Sequence, residues 1–500
     1  MQDARVALNR RMPVSQKILI VGAGPVGLTL ACELARYGIG VRLIERSPEP
    51  TRTSKALVVW SRTLELLDRM GCAPAFLAAG LRARGASLRS GGRVLGGARF
   101  TEIASPYPFA LMIPQAETER LLTEHLAGFG IAIERRVTLS AFSHGTDAVT
   151  ARLTDADGRE EEVSTPVLIG CDGAHSRVRH GLDLAFTGQA QGDEWLLADV
   201  RVEGPGTPPP DEIAVYFHRD GPFALFPLPR GRARVIGTVG KADPEHARPD
   251  PSLDTVQALT EARAGPGIRV SDPVWLSHFR INERKVEQYR VGRVFLAGDA
   301  AHIHSPAGGQ GMNTGMQDAV NLAWKLALVL RGEAAPDLLD SYSPERNAVG
   351  ESVLRNASRL TAAGTLASPA AQAARNLAIR ALFGFHAVRD RMAATMSEIE
   401  IGYPDSFLSE GPGAGARWLP GHDAGPPPGA GAAPRFVLYA DDGPECAALA
   451  ARFPTLLAPE SRPPPDGRLH LVRPDGYVGL TTEAGDWAGA ARYLARLAPA

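Results

Sequence analysis

A glycine-rich turn between two apolar segments most strongly constrains the fold of this 500-residue chain. The apolar segment 18–21 leads into Gly22, Gly24 and Gly27 with the spacing G-x-G-x-x-G, a helical segment follows, and Glu45 stands 23 residues after Gly22. In a βαβ unit with this spacing, the first glycine makes a tight turn, the second admits a pyrophosphate, and the third lets the helix pack on the strand. Free N–H groups at the helix N-terminus favour phosphate. Because a carboxylate at Glu45 would bind ribose hydroxyls and repel a 2′-phosphate, the turn predicts an FAD or NAD site.

A second segment has the pattern of a strand that ends at a ligand-binding edge. Residues 291–297 are mostly apolar and lead into Gly298 and Asp299, and the loop 308–313 precedes a helix from about Thr314. Ligands of doubly wound folds lie at the carboxyl ends of strands, so we expect Asp299 to accept a hydrogen bond from a ribityl hydroxyl. The loop and helix N-terminus would favour the negative charge at N1–C2=O of a reduced flavin by about 0.3–2 kcal/mol. The alternative is that these glycines only allow a tight turn.

Three motifs together resemble the fingerprints of the single-component FAD-dependent aromatic hydroxylases. These are the group A flavoprotein monooxygenases, built on the para-hydroxybenzoate hydroxylase plan. The motifs are the turn 22–27, the Cys171-Asp172-Gly173 segment and the run 298–302 with the loop after it, and the resemblance covers about residues 16–350. The phrase 471–478 looks like the thioredoxin-like third domain of the larger branch, which includes phenol hydroxylases and polyketide-tailoring hydroxylases.

The resemblance implies a set of site residues. Those expected to bind FAD are Gly22, Gly24, Pro25, Val26, Gly27, Glu45, Arg46, Lys55, Gln115, Asp172, Asp299, Gly311, Met312 and Asn313. Those expected to act at the flavin ring, and therefore assigned as catalytic, are Pro306, Gly308, Gly309 and Gly311. The family links the fingerprint of Asp172 and Arg177 to FAD and to transient NAD(P)H. Many relatives carry arginine near Lys55, whose charge lacks the fork geometry of arginine, so its role stays open.

The resemblance also implies a reaction. NAD(P)H would reduce the flavin, O₂ would add to it, and the C4a-hydroperoxyflavin would hydroxylate an electron-rich phenolic or polycyclic polyketide-type aromatic. The same chemistry can give Baeyer–Villiger insertion or epoxidation, and other FAD oxidoreductases use this fold. Flavin halogenases usually carry W-x-W-x-I-P, and no two of the six tryptophans have that spacing. A non-enzymatic flavin- or drug-binding protein is the alternative outside the enzyme class.

We expect an α/β protein in which an antiparallel substrate-binding sheet is inserted into a Rossmann-like FAD-binding domain, followed by a thioredoxin-like α/β domain. The expected bounds are 16–83, 114–182 and 284–400 for the FAD-binding domain, 84–113 and 183–283 for the substrate domain, 401–434 for a linker and 435–500 for the C-terminal domain. Aromatic residues of the sheet would form a wall over a flat ligand. The pocket residues expected there are Trp195, Phe217, Phe226 and Pro306. Simple core packing is the alternative for each aromatic residue.

Composition excludes several classes of protein. The chain has 54 basic and 55 acidic residues, and this balance recruits neither nucleic acid nor an anionic membrane. The longest apolar helix candidate, 319–330, is too short to span a bilayer, and the N-terminal segment lacks the apolar core of a secretory signal. The four cysteines form no C-x-x-C pair and lie near no histidine cluster with metal-ligand spacing. We therefore expect a cytoplasmic monomer or homodimer, without a metal, that acts on a small aromatic substrate.

Overall fold

The computed structural model describes residues 17–51, 56–243, 248–419 and 425–499. The strands of these ranges are β1 Ile18–Val21, β2 Val41–Glu45, β3 Val58–Val59, β4 Leu81–Ala83, β5 Gly85–Ser90, β6 Arg93–Arg99, β7 Ala110–Met112, β8 Ile133–Arg135, β9 Thr138–His144, β10 Val149–Thr154, β11 Glu160–Thr165, β12 Leu168–Gly170, β13 Thr187–Glu203, β14 Glu212–Tyr216, β15 Phe223–Leu228, β16 Arg232–Lys241, β17 Arg269–Lys285, β18 Arg290–Val291, β19 Val294–Leu296, β20 His302–Ile303, β21 Val437–Tyr439, β22 Leu469–Val472 and β23 Val478–Thr482. The helices are α1 Pro25–Arg36, α2 Ser61–Arg69, α3 Ala73–Ala79, α4 Gln115–Ala127, α5 Arg177–Gly181, α6 Leu253–Ala264, α7 Gly311–Leu330, α8 Tyr342–Gly364, α9 Pro369–Leu382, α10 His386–Met396, α11 Pro444–Arg452 and α12 Trp487–Leu497. Short 3₁₀ turns lie at Pro229–Gly231, Gly298–Ala300 and Pro336–Ser341.

A six-stranded sheet forms the centre of the cofactor-binding part. Its order is β18-β19-β12-β1-β2-β8, and every pair is parallel except β18 with β19. Helices α4 and α7 pack against α1, which follows the first strand. All four residues of β1 are apolar and buried, as a parallel strand covered on both faces requires. The expected Rossmann-like arrangement is confirmed.

An eight-stranded sheet forms the second layer, in the order β20-β17-β13-β16-β15-β14-β5-β6. Its pairs are antiparallel except β14 with β5. One face packs under α6, where residues such as Leu196, Val235 and Val256 are buried together. The expected inserted sheet is confirmed, although β7 leaves it and pairs with β3 and β4 in a separate three-stranded sheet. Strands β9 to β11 form another small antiparallel sheet.

The C-terminal part contains the antiparallel sheet β21-β22-β23 with α11 and α12. Two isolated parallel bridges, from Phe436 to Leu457 and from Tyr439 to Arg462, extend the sheet beyond β21. The assignment as thioredoxin-like, like the domain bounds, stays a prediction. The described part of the expected linker is irregular but not free, because Tyr403 and Leu408 are buried within it. All four cysteines are buried free thiols.

A buried ion network joins the C-terminal part to α7 and α8. Arg473 donates to Glu345 at 2.8 and 3.0 Å, and Lys325 donates to the same carboxylate at 2.7 Å. Asp475 accepts from Arg473 at 2.6 Å and from the indole N–H of Trp324 at 3.1 Å. Burial lowers the pKa of Lys325 to about 8. Burial alone would raise the pKa of Glu345, but Arg473 and Lys325 hold it far below its usual value.

Candidate active site

The three sequence motifs meet at one edge of the six-stranded sheet. Strands β1, β12 and β19 are adjacent and parallel, with Val21 opposite Gly170 and Gly170 opposite Leu296. The chain continues from these strands into Gly22, Cys171 and the Gly298 turn. Segments separated by more than a hundred residues in sequence therefore present their ends side by side, at the carboxyl edge where ligands of this fold class bind.

The three glycines of the first motif have different surroundings. A Cβ added at Gly22, where φ is +102°, would lie 2.4 Å from the carbonyl oxygen of Cys171, and one at Gly27 would lie 2.0 Å from that of Gly22. A Cβ at Gly24 would meet no heavy atom within 4 Å. Gly22 and Gly27 are thus required by packing, whereas Gly24 borders open space. That space fits the close approach of a pyrophosphate.

Helix α1 begins with Pro25 and has no side-chain cap at Gly24. The backbone N–H of Val26 and Gly27 belong to the first turn, whose donors have no partner within the helix. The side chain of Val26 packs into the third motif, because added Cβ atoms at Gly298 and Gly315 would each lie 2.7 Å from it. Val26 therefore connects the first motif with the third, and the free helix terminus fits an anionic ligand.

Glu45 lies at the end of β2 and braces the glycine turn. One carboxylate oxygen accepts from the backbone N–H of Ala23 at 2.9 Å, and the other accepts from that of Ser47 at 2.8 Å. Each carboxylate oxygen keeps a further lone pair that can accept from a ribose hydroxyl. The expected ribose contact stays a prediction. Arg46 is exposed beside it. Lys55 lies outside the described residues.

Gln115 at the start of α4 faces the same region. Its side-chain oxygen accepts from the backbone N–H of Ala56 at 3.2 Å, and its amide donates to Glu119 at 2.9 Å. Burial raises the pKa of Glu119, and the nearby Glu45 carboxylate raises it further. Gln115 therefore joins Glu119 to the segment at 56, and its place near the ribityl chain stays a prediction.

Asp172 caps the short helix α5. Its Oδ2 accepts from the backbone N–H of Arg177 at 2.7 Å and from that of Val178 at 3.3 Å. Its Oδ1 is buried and has no partner within the described part of the chain. Burial raises the pKa of Asp172. An unpaired carboxylate oxygen at the ligand-binding edge fits a bound group with hydroxyl or amide donors, whereas the Arg177 side chain is exposed.

The third motif is held by Asp318, a residue the sequence analysis did not assign to the site. Its carboxylate accepts from the backbone N–H of Gly298 at 2.9 Å, from Arg346 at 2.6 Å and from His302 at 2.8 Å. Burial alone would raise the pKa of Asp318, but Arg346 and His302 lower it. Asp299 is left exposed at the sheet edge. The carboxylate thus keeps the turn in the orientation that presents Asp299.

The loop before α7 is fixed by Asn313 and Trp60. Gly308 and Gly309 have φ of +89° and +65°, a backbone region that favours glycine. Trp60 donates from its indole to the carbonyl of Gly308 at 2.9 Å, and its backbone N–H donates to Asn313 at 2.9 Å. The amide of Asn313 donates to Val58 and Gly309, both at 2.9 Å. The Asn313 side chain therefore positions the loop, and contact of residues 311–313 with a flavin through their backbone stays a prediction.

His304 lies beneath this loop, and the sequence did not identify it as a site residue. Its Nδ1–H donates to the carbonyl of Ser305 at 2.8 Å. Burial lowers the pKa of His304 to about 4, so the ring is neutral at physiological pH. Its Nε2 has no partner in the described residues and lies 3.4 Å from an added Cβ at Gly311. Pro306 is exposed, and its carbonyl accepts a hydrogen bond from the backbone N–H of Gly309 at 2.9 Å.

A buried carboxyl group holds the next turn of α7. Thr314 and Gln317 contact Glu398 at 2.7 and 2.5 Å, and the Thr314 hydroxyl also donates to the carbonyl of Gln310 at 3.0 Å. Burial raises the pKa of Glu398 to about 8. Because one hydroxyl has one proton to donate, a protonated Glu398 that donates to Thr314 satisfies all three groups.

Two of the expected pocket residues lie on the sheet face that is directed at this loop. Trp195 and Phe226 pack together with residues such as Ile236, and Phe226 also packs against the cluster that contains Val58 and Trp60. This face of the eight-stranded sheet is called the aromatic face below. Phe217 does not join it, because the guanidinium of Arg375 on α9 lies 4.2 Å from its ring centre.

Comparison with known proteins extends these observations. Residues 15–357 match the family model described as an FAD binding domain. The 6-methylpretetramide 4-monooxygenase of Streptomyces rimosus is 39% identical, over 96% of this chain and 93% of that protein. The structure of OxyS, an anhydrotetracycline hydroxylase from Streptomyces rimosus, has a TM-score of 0.80 with 33% identity, over 97% of this chain and all of that chain. That of CabE, an aromatic hydroxylase from angucycline biosynthesis, has a TM-score of 0.78 with 31% identity, over 97% and 99%.

Proposed function

Since this chain belongs to the family of FAD-dependent aromatic monooxygenases, we propose that it hydroxylates a polycyclic phenolic substrate of polyketide type with NAD(P)H and O₂. The observation that carries this proposal is the meeting of the three cofactor motifs at one sheet edge, with the aromatic face packed against the neighbouring cluster of Val58 and Trp60. Tryptophan and phenylalanine side chains suit stacking against a flat aromatic ring system. The names of the relatives, which refer to pretetramide, anhydrotetracycline and angucycline chemistry, support the same substrate class.

Bound FAD would supply electron transfer from NAD(P)H and the activation of O₂. The residues of the chain hold and orient it. The open space at Gly24 and the N-terminus of α1 fit its phosphates, and Asp172 and Asp299 offer carboxylates at the sheet edge. The N-terminus of α7 favours negative charge at the flavin ring. The aromatic face would exclude water and hold the substrate ring against the loop that Asn313 fixes.

The test is oxidation of NADH and NADPH by FAD-loaded protein in the presence of anhydrotetracycline and a panel of polycyclic phenols and quinones. We expect at least one compound to accelerate NAD(P)H oxidation and to yield a product heavier by one oxygen atom, with the new hydroxyl on a ring carbon. A ring-expanded ester of the same mass would show that the reaction is Baeyer–Villiger insertion and not hydroxylation. Hydrogen peroxide as the sole product with every compound, or no stimulation at all, would contradict the proposal.

A further inference from the structure

The indole N–H of Trp195 is a buried donor without an acceptor in the part of the chain that the structure describes. Trp195 lies on β13 with 8% of its surface exposed, and its Nε1 is buried without a hydrogen-bond partner in the described residues. A buried tryptophan N–H usually finds a partner. Leaving it unpaired costs free energy, and such exceptions in a native structure require an explanation. Within residues 17–51, 56–243, 248–419 and 425–499, no acceptor meets this buried donor, which needs one.

This donor belongs to the aromatic face. Trp195 stands opposite Phe279 on β17, with ring centres 6.3 Å apart, and packs with Ile281. Phe226, half-buried on the same face, packs against the cluster that contains Trp195 and against the cluster that contains Trp60. The indole is therefore one packing layer from the loop that leads into α7. A ligand between the loop and the sheet would meet this face.

Neighbouring polar groups on the same face are already paired. Asp199, four residues after Trp195 on β13, accepts hydrogen bonds from Arg234 at 2.6 and 2.7 Å, and Arg234 is fully buried. Thr238, directly opposite Trp195, donates to the carbonyl of Asp220 at 3.3 Å. The ion pair of Asp199 and Arg234 is neutral as a unit. Among the described residues of this face, Trp195 Nε1–H is a donor whose missing partner is a hydrogen-bond acceptor.

We propose that Trp195 Nε1–H donates a hydrogen bond to an oxygen atom of the aromatic substrate, an inference that rests on the proposed function. This contact selects polycyclic rings that carry a carbonyl or phenolic oxygen at that end over rings without one. A site that hydrogen-bonds a substrate group discriminates strongly against analogues that lack it. Trp195 is thereby a specificity-determining residue of the pocket.

The experiment compares wild type with Trp195→Phe, which keeps an aromatic ring and removes the donor. Binding of anhydrotetracycline, and of 9-fluorenone and fluorene, is titrated by perturbation of the flavin absorbance in the oxidised holoenzyme. Loss of one buried hydrogen bond should weaken binding of the two oxygenated probes roughly 5- to 100-fold and leave fluorene unchanged. Trp487→Phe, on α12, is the matched control and should change none of these dissociation constants.

The indole proton itself gives a second measurement that does not depend on how the variant folds. In ¹⁵N-tryptophan-labelled wild type, the resonance absent from Trp195→Phe should move downfield when 9-fluorenone is added and stay in place with fluorene. Equal binding of the oxygenated probes by both proteins, or an unmoved resonance in the complex, overturns the inference and leaves the proposed function standing. Failure of wild type to bind any of the polycyclic phenols, quinones and ketones overturns both.

Discussion

Gly24 and Gly27 lie three residues apart in one turn, yet the structure predicts opposite consequences of adding a side chain. A Cβ at Gly24 meets open space, whereas one at Gly27 would lie 2.0 Å from the carbonyl oxygen of Gly22. Real Cβ contacts essentially never fall below 3.0 Å, so α1 would have to move by about an ångström away from the turn. Gly24→Asp should therefore preserve the fold and lose FAD, and Gly27→Ala should lose both.

The loss of FAD at Gly24 can be given a magnitude. The added carboxylate borders the space that fits the pyrophosphate, and two unit charges about 4 Å apart in an effective dielectric of about 20 repel by about 4 kcal/mol. That corresponds to roughly a thousandfold weaker binding of FAD. The fold should be preserved, since aspartate is a favourable residue at the N-cap position that Gly24 occupies.

The assay titrates apo-protein with FAD and follows quenching of flavin fluorescence, while circular dichroism gives the melting temperature without FAD. Gly192→Asp is the control, because its Cβ would also meet open space, with Lys241 Nζ nearest at 3.9 Å. We expect wild-type affinity for the control, weak binding with a near-normal melting temperature for Gly24→Asp, and a lowered melting temperature for Gly27→Ala. Normal FAD affinity in Gly24→Asp, or equal destabilisation of the Gly24 and Gly27 variants, would refute this reasoning.

Three further substitutions test other parts of the site. Burial raises the pKa of Glu398 from 4.5 to about 8, so the stability linked to its proton is complete below about pH 4.5 and is lost as pH rises from there through about 8. Glu398→Gln should therefore melt higher than wild type at pH 9, and the difference should be much smaller at pH 5. Arg473→Met leaves Glu345 buried without its guanidinium, at a cost of about 3–5 kcal/mol, and should lower the temperature of FAD release. Arg496→Met, which removes an exposed ion pair, should barely change it; equal shifts would contradict a stabilising role of the buried network. Met312→Glu opposes the charge at the start of α7 and should lower the reduction potential of bound FAD, and a midpoint equal to wild type would leave the loop a structural role.

Much of the site could be predicted because its motifs are local. Gly22, Cys171 and Gly298 each follow an apolar run, and parallel strands bring their carboxyl ends to a common edge whatever lies between them in sequence. The motif order and spacing were therefore enough to identify the cofactor and the family, which the comparisons confirm. Residue types and spacing alone carry this information.

Side-chain direction could not be predicted, because it depends on partners far away in sequence. Asn313 points to Val58 and Glu45 to the N–H of Ala23, although both residue types equally suit direct ligand contact. Phe217 has the same aromatic character as Phe226, yet a helix more than 150 residues later determines its surroundings. The pairing of Asp318 with Arg346 likewise depends on the fold, because the two residues lie on different helices.

The C-terminal part has no redox cysteine pair, and α7 provides a physical reason for its presence. The N-terminus of this helix begins at the end of the glycine loop, and Asp318 on its second turn holds the Gly298 turn. The second half of the helix carries Trp324 and Lys325, which contact Asp475 and Glu345 of the buried network. One helix therefore connects the glycine loop at one end with the C-terminal part at the other. We infer that the C-terminal part stabilises the geometry of the candidate site by fixing this helix.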